Sequence, residues 1–70
     1  MEILKLKDDY IKLGQALKAA GLVESGADAK EAVVNGDVKV NGQQELQRGK
    51  KLHNGDIVEF DGKEIKITTS

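Results

Sequence analysis

The 70-residue sequence has no cysteine, no proline and no tryptophan, and its only aromatic side chains are Tyr10 and Phe60. Without cysteine, neither a disulfide framework nor a thiolate metal site can brace the chain, so a small hydrophobic core must hold it. With one histidine, His53, a zinc site would need carboxylates alone for its other ligands, and no metal or other cofactor is expected. His53 also lacks an evident nucleophile partner, and a polar turn position is the simpler account of it than a general base. Two aromatics cannot build the exposed stacking surface on which RRM, cold-shock and OB folds hold single strands. The apolar runs are only a few residues long. Neither a membrane-spanning helix nor a secretory leader is therefore expected, and the cytoplasm is the expected compartment.

Charge of one sign is scarce as well. The formal net charge is −1, which argues against a strongly basic nucleic-acid binder. The distribution says more than the total. From Lys30 to Gly55 five bases (Lys30, Lys39, Arg48, Lys50 and Lys51) face three acids (Glu31, Asp37 and Glu45), so this segment carries +2. The residues before it carry −1 and those after it −2. The middle of the chain is basic and its two ends are acidic.

Hydrophobic residues make up 39% of the chain and charged ones 33%, which suits one compact domain spanning residues 1–70. Glu2-Ile3-Leu4-Lys5-Leu6 alternates as a short first strand, an edge candidate, and Asp8-Asp9 breaks it. Leu13, Ala16, Leu17 and Ala20 take helical spacing with Gly21 as the stop; the helix start lies anywhere from Asp9 to Gly14. Leu22-Val23 forms a short link to a second helix.

That second helix opens the most informative stretch, Ser25 to Gly42. Ser25 can cap it, and Asp28 stands at the third helical position as a weak capping box. Ala29, Ala32 and Val33 share one face. Asn35-Gly36 ends the helix, since either residue tolerates the left-handed conformation. Val38 and Val40 then alternate around Lys39, and Asn41-Gly42 turns the chain back.

Residues 43–51 form a polar excursion broken only by Leu46, and Leu52 re-enters the core. Asn54-Gly55-Asp56 turns, Ile57–Phe60 reads as a strand, and Asp61-Gly62 folds it onto a last strand with Ile65 and Ile67 inward. The fold class is α+β, two helices packed on a small, largely antiparallel sheet. Its expected core is Leu13, Leu17, Ala29, Val33, Val38, Val40, Leu52, Val58, Phe60, Ile65 and Ile67.

Leu13-x-x-x-Leu17, Ser25-Gly-x-x-Ala29-Lys30, Asn35-Gly36-x-Val38-x-Val40-Asn41-Gly42 and Gly55-Asp56-x-Val58 follow one another in an order that resembles the S-four RNA-binding domain. That family is named for ribosomal small-subunit protein four. The similarity runs from about Ile11 to Ile67 and is greatest to small stand-alone bacterial members of the YaaA/YbcJ type. The resemblance implies an αL-type fold in which two helices and a following hairpin present basic side chains to structured RNA. By position it implies roles for Ser25 and Lys30 at the second helix, Lys39 and Asn41 on the hairpin, and Arg48, Lys50 and Lys51 on its return. Two positions depart from the pattern. Gly26 stands where many relatives carry an arginine, and Lys12-Leu13-Gly14 stands where many carry Arg-Leu-Asp, which removes options for contact or capping.

The residues themselves allow two readings at each site. Free amides at the start of the second helix, with Gly26 permitting close approach and Lys30 one turn on, suit a phosphate. Capping alone also explains Ser25, and Asp28 already satisfies the helix dipole there. Asn41 before Gly42 is explained by turn geometry, although it could donate to RNA. Arg48, Lys50 and Lys51 occur without an intervening acid, and Lys30 and Lys39 are expected to converge on them as one basic face, with His53 at its edge. The function expected is a non-enzymatic RNA-binding protein that recognises duplex or folded RNA, ribosomal RNA being one candidate, as a monomer or within a ribonucleoprotein. The alternative is a protein-interaction module with no direct RNA contact.

Overall fold

The computed structural model describes residues 1–69. In chain order the elements are β1 (Glu2–Leu6), β2 (Ile11–Lys12), α1 (Leu13–Ala19), α2 (Gly26–Val34), β3 (Val38–Val40), β4 (Gln43–Gln44), β5 (Lys51–Leu52), β6 (Ile57–Phe60) and β7 (Lys63–Thr69). Five strands form one sheet in the order β1-β7-β6-β3-β4, while β2 and β5 pair separately. Two helices on a mostly antiparallel sheet is the architecture that the periodicity predicts. The exception is β1, which runs parallel to β7 with Glu2 opposite Ile65 and Leu6 opposite Thr69. It forms one edge of the sheet, as its short alternating pattern suggests.

Both helices stop in the same way. After α1, Gly21 takes φ +74 and the Leu22 amide donates back to the Leu17 carbonyl at 3.0 Å. After α2, Gly36 takes φ +80 and the Asp37 amide donates to the Ala32 carbonyl at 3.1 Å. These are Schellman endings, which need a residue free of the Cβ clash at positive φ. Of the pair Asn35-Gly36, the glycine takes that role, and Asn35 stays right-handed at φ −71. A Cβ at Gly36 would also collide with the Gln44 carboxamide, which donates to the Gly36 carbonyl.

Asn41-Gly42 and Asp61-Gly62 turn the two hairpins with positive φ at both central residues, as the right-handed twist of the flanking strands demands. Registry then decides burial. Val38 and Val40 lie opposite Phe60 and Val58 on the face that meets the helices. The core joins these to Leu13, Ala16 and Leu17 of α1, Ala29, Ala32 and Val33 of α2, Leu52 and Ile67. Ten of the eleven expected core residues are buried. The eleventh, Phe60, is half-buried: it packs against the cluster at its margin, because it ends β6 beside the open groove beneath α2.

Candidate nucleic-acid interface

The polar excursion after β4 is a fixed strap. The Leu13 amide donates to the Lys50 carbonyl at 2.8 Å, and the Gly14 amide to the Arg48 carbonyl at 2.9 Å. Lys12, the cap position of α1, gives no side-chain cap, so these two carbonyls satisfy amides that a helix start otherwise leaves open. The short β2–β5 ladder continues the attachment, with Ile11 opposite Leu52 and Lys12 opposite Lys51. Backbone bonds therefore hold Arg48 at the start of α1 despite the polar sequence around it.

The strap, α1 and the start of α2 enclose a groove whose charged lining residues are Lys12, Lys18 and Arg48, with Gln15 between them and Gly26 opposite. Among the described residues no carboxylate lines it. Gly26 is the first residue of α2, and a side chain there would meet open space. The positive end of the helix dipole thus opens toward three cations. Ser25 serves as the N-cap, its Oγ accepting from the Asp28 amide at 3.2 Å. Asp28 itself projects to the other flank of α2 and lines a different groove. Lys30 follows Gly26 by four residues, so it lies one turn along on the same flank.

The remaining bases divide. Lys51 lies directly across the ladder from Lys12, a like-charge arrangement that costs stability unless an anion relieves it. Its Nζ sits 4.9 Å from the centroid of the half-exposed Tyr10 ring, and the His53 ring is 6.2 Å from Tyr10. Lys39 is set apart from them. With Val38 and Val40 turned toward the helices, the pleat turns Lys39 to the helix-free face, opposite Glu59 and Gln44. Lys50 lies on the far side of the strap, lining a hollow with Asn41, Gln43 and Glu45. The five bases expected on one face therefore separate into a group beside α1 and α2 and outliers at Lys39 and Lys50.

Asn41 is occupied within the fold. Its Nδ2 donates to Asp56 Oδ1 at 3.1 Å, and its Oδ1 accepts from the Ile57 amide at 2.9 Å. Asp56 Oδ2 also accepts from the His53 amide at 2.7 Å. Partial burial pushes the Asp56 carboxyl up. The His53 amide, the Asn41 carboxamide and the charges of His53 and Lys50 outweigh this and hold it below its ordinary value.

Lys12, Gln15 and Lys18 are the groove residues that sequence reasoning missed. Their segment of the chain is net acidic, so a tally of charge by segment passes over them. The signal was the i, i+3 spacing of Gln15 and Lys18 on the polar side of α1, next to Lys12 at its start.

The αL arrangement recurs in known proteins. Residues 4–68 match the family model for the S4 domain. The probable ribosome maturation protein RlbA of Bacillus subtilis is 39% identical over 59 residues, spanning 84% of this chain and 83% of that protein. YbcJ of Escherichia coli is 38% identical over 61 residues, 87% of each chain. Its solution structure, described as revealing an αL motif involved in RNA binding, superposes with a TM-score of 0.74 over 97% of this chain and 87% of that one. The ribosomal protein S4e of Thermoplasma acidophilum shares the fold at 22% identity and a TM-score of 0.62, over 83% of this chain and 31% of that one. With a family match over nearly its whole length and two relatives of similar size, this chain belongs to the S4 domain family.

Proposed function

We propose that this protein binds structured RNA without catalysing a reaction on it, through the groove between α1, the start of α2 and the strap. The observation that carries this reading is the grouping of Lys12, Lys18 and Arg48 around the open N-terminus of α2, with no carboxylate among them in the described residues. Such a groove suits phosphates, which fix position and orientation without reading base identity. The S4 domain family and the RNA-binding motif described for YbcJ support it. Tyr10 beside Lys51 offers at most one stacking surface, so duplex or folded RNA is the preferred partner over an extended single strand. The name of RlbA makes RNA of the maturing ribosome the first ligand to try.

An electrophoretic shift assay on a folded RNA fragment, repeated across a salt series, tests this. Neutralising three phosphates gives a slope of log affinity against log salt of about −2 to −3. The pair Lys12→Gln and Arg48→Gln should flatten that slope by roughly 1.5 to 2, whereas Lys63→Gln with Lys66→Gln should leave it nearly unchanged. Equal losses from both pairs, or a preference for unstructured single strands, would overturn the reading.

A further inference from the structure

Helix α2 has two unlike flanks. Gly26 and Lys30 lie on the flank beside the basic groove, while Asp28, Glu31, Ala32 and Asn35 recur at i, i+3, i+4 and i+7 on the other. Below that second flank runs a groove with an apolar floor made by Leu22, Val23, Ala32 and Phe60. Leu22, Val23 and Phe60 are each only half-buried there, so the floor keeps apolar surface in water. Carboxylates of Glu24, Asp28, Glu31 and Asp37 form the rim, and among the described residues no lysine or arginine lines the groove.

Fold stability does not account for the Glu31 and Asp37 part of this rim. Among the described residues the side-chain hydrogen bonds involve none of these four carboxylates. Asp28 is favourable at the positive end of α2. Glu31 in the last turn and Asp37 just beyond the helix stand at its negative end, with no base in that turn to offset them. A cation from outside would relieve this arrangement. Among the described residues no group of three or more His, Asp or Glu side chains could hold a metal ion, so a coordinated ion is not the occupant. Nucleic acid and anionic lipid are repelled. A second copy of this chain carries a net charge of −1 and the same acidic rim, so it complements the groove less well than a Lys/Arg-rich segment does.

We propose that this groove docks an extended, Lys/Arg-rich segment of a partner protein, with one apolar side chain seated against Phe60. The cations meet the rim, and the apolar residue covers the floor that intramolecular packing leaves open. Because the basic groove lies on the opposite flank of α2, one molecule can hold RNA and this segment together. The inference does not depend on the RNA reading.

The test uses the full chain and a synthetic peptide of lysines and arginines with a single central leucine. Titrated into isotope-labelled protein, the peptide should move amide resonances around residues 22–24, 31–37 and 60 and leave those at 12–18 in place. Replacing its leucine by serine should weaken binding about tenfold, the worth of one buried aliphatic side chain. The double substitution Glu31→Gln and Asp37→Asn should weaken it about fivefold or more, with the melting temperature equal to or slightly above the parent's and the RNA affinity unchanged. Among the described residues Glu31 and Asp37 make no side-chain hydrogen bond, so these variants keep their structure. Shifts spread over the whole surface, equal affinity for the serine peptide, or equal competition by spermidine would reduce the effect to bulk charge and overturn the proposal. So would a sedimenting dimer that the same double substitution dissociates, since the occupant would then be a second copy.

Discussion

Asn41 bears more of the fold than a turn residue ordinarily does. Its backbone sits at φ +53, its Nδ2 reaches Asp56 and its Oδ1 receives the Ile57 amide. Asn41→Ala removes three things together. A hydrogen bond to a carboxylate is worth about 1.5–3 kcal/mol, and the Ile57 amide loses a partner worth about 1 kcal/mol. Placing an alanine Cβ in the left-handed region costs about 1 kcal/mol more. Because the site is open to water, which replaces part of the lost bonding, the expected net loss is about 2–3 kcal/mol. A domain of this size holds only about 4–10 kcal/mol in total. Asn41→Gly loses the same bonds without the left-handed penalty and should recover roughly 0.5–1 kcal/mol of the loss. Urea denaturation read by circular dichroism measures both, with the midpoint moving at constant slope. Asp56→Ala in the Asn41→Ala background should add less than it does alone, by the worth of the one bond the two share, while its loss of the His53 amide bond persists in both. If Asn41→Ala melts within about 0.5 kcal/mol of the parent, or if alanine and glycine are equal, the bridging role assigned to Asn41 is wrong.

Three further outcomes follow from other parts of the molecule. The Asp56 carboxyl is held below its ordinary value, so the charged form favours the folded state. Its contribution is complete above the unfolded-state value and is lost as pH falls through the folded one; Asp56→Asn should therefore flatten the acid limb of a stability–pH curve and leave the alkaline limb alone. Gly26→Arg points into open space at the groove, so it should tighten RNA binding and steepen the salt slope by about 0.7–0.9, and a weakened complex would place the phosphates elsewhere. Phe60→Ala should cost about 2 kcal/mol by thermal or urea melting, below the roughly 3–5 kcal/mol of a fully buried phenylalanine, and a loss near 5 would contradict its half-exposed position.

Local rules carried the sequence reading as far as they reach. The Gly21 and Gly36 stops, the Asn41-Gly42 and Asp61-Gly62 turns and the Ser25 cap are set within a few residues, and each stands where spacing places it. The inward faces of β3, β6 and β7 follow from alternation alone. What escaped the sequence depends on pairings between distant segments. Nothing near Arg48 announces that its carbonyl will receive the Gly14 amide, and so nothing near it joins Arg48 to Lys12 and Lys18. Lys39 shows the opposite failure. Its proximity to the other bases along the chain suggested one face, while the alternation that buries Val38 and Val40 already required it to point away. Alternation with Val58 puts Phe60 on the core face, where it packs, but period two names a face and not how far the cover extends along it.

The parallel pairing of β1 with β7 also bears on the order in which the molecule can assemble. The α1–α2 pair and the β3–β4 and β6–β7 hairpins close over short stretches of chain and can form early. Strand β1 has no such neighbour, for its partner lies at the opposite end of the sequence and the loop to be closed spans nearly every residue between them. Closing so long a loop costs entropy that only an otherwise assembled sheet can offset. During synthesis β1 emerges well before its partner, and Ile3, Leu4 and Leu6 wait unpaired until β7 has been released. Substitutions in β1 should accordingly speed unfolding with little change in the folding rate, while those in β6 and β7 should slow folding itself.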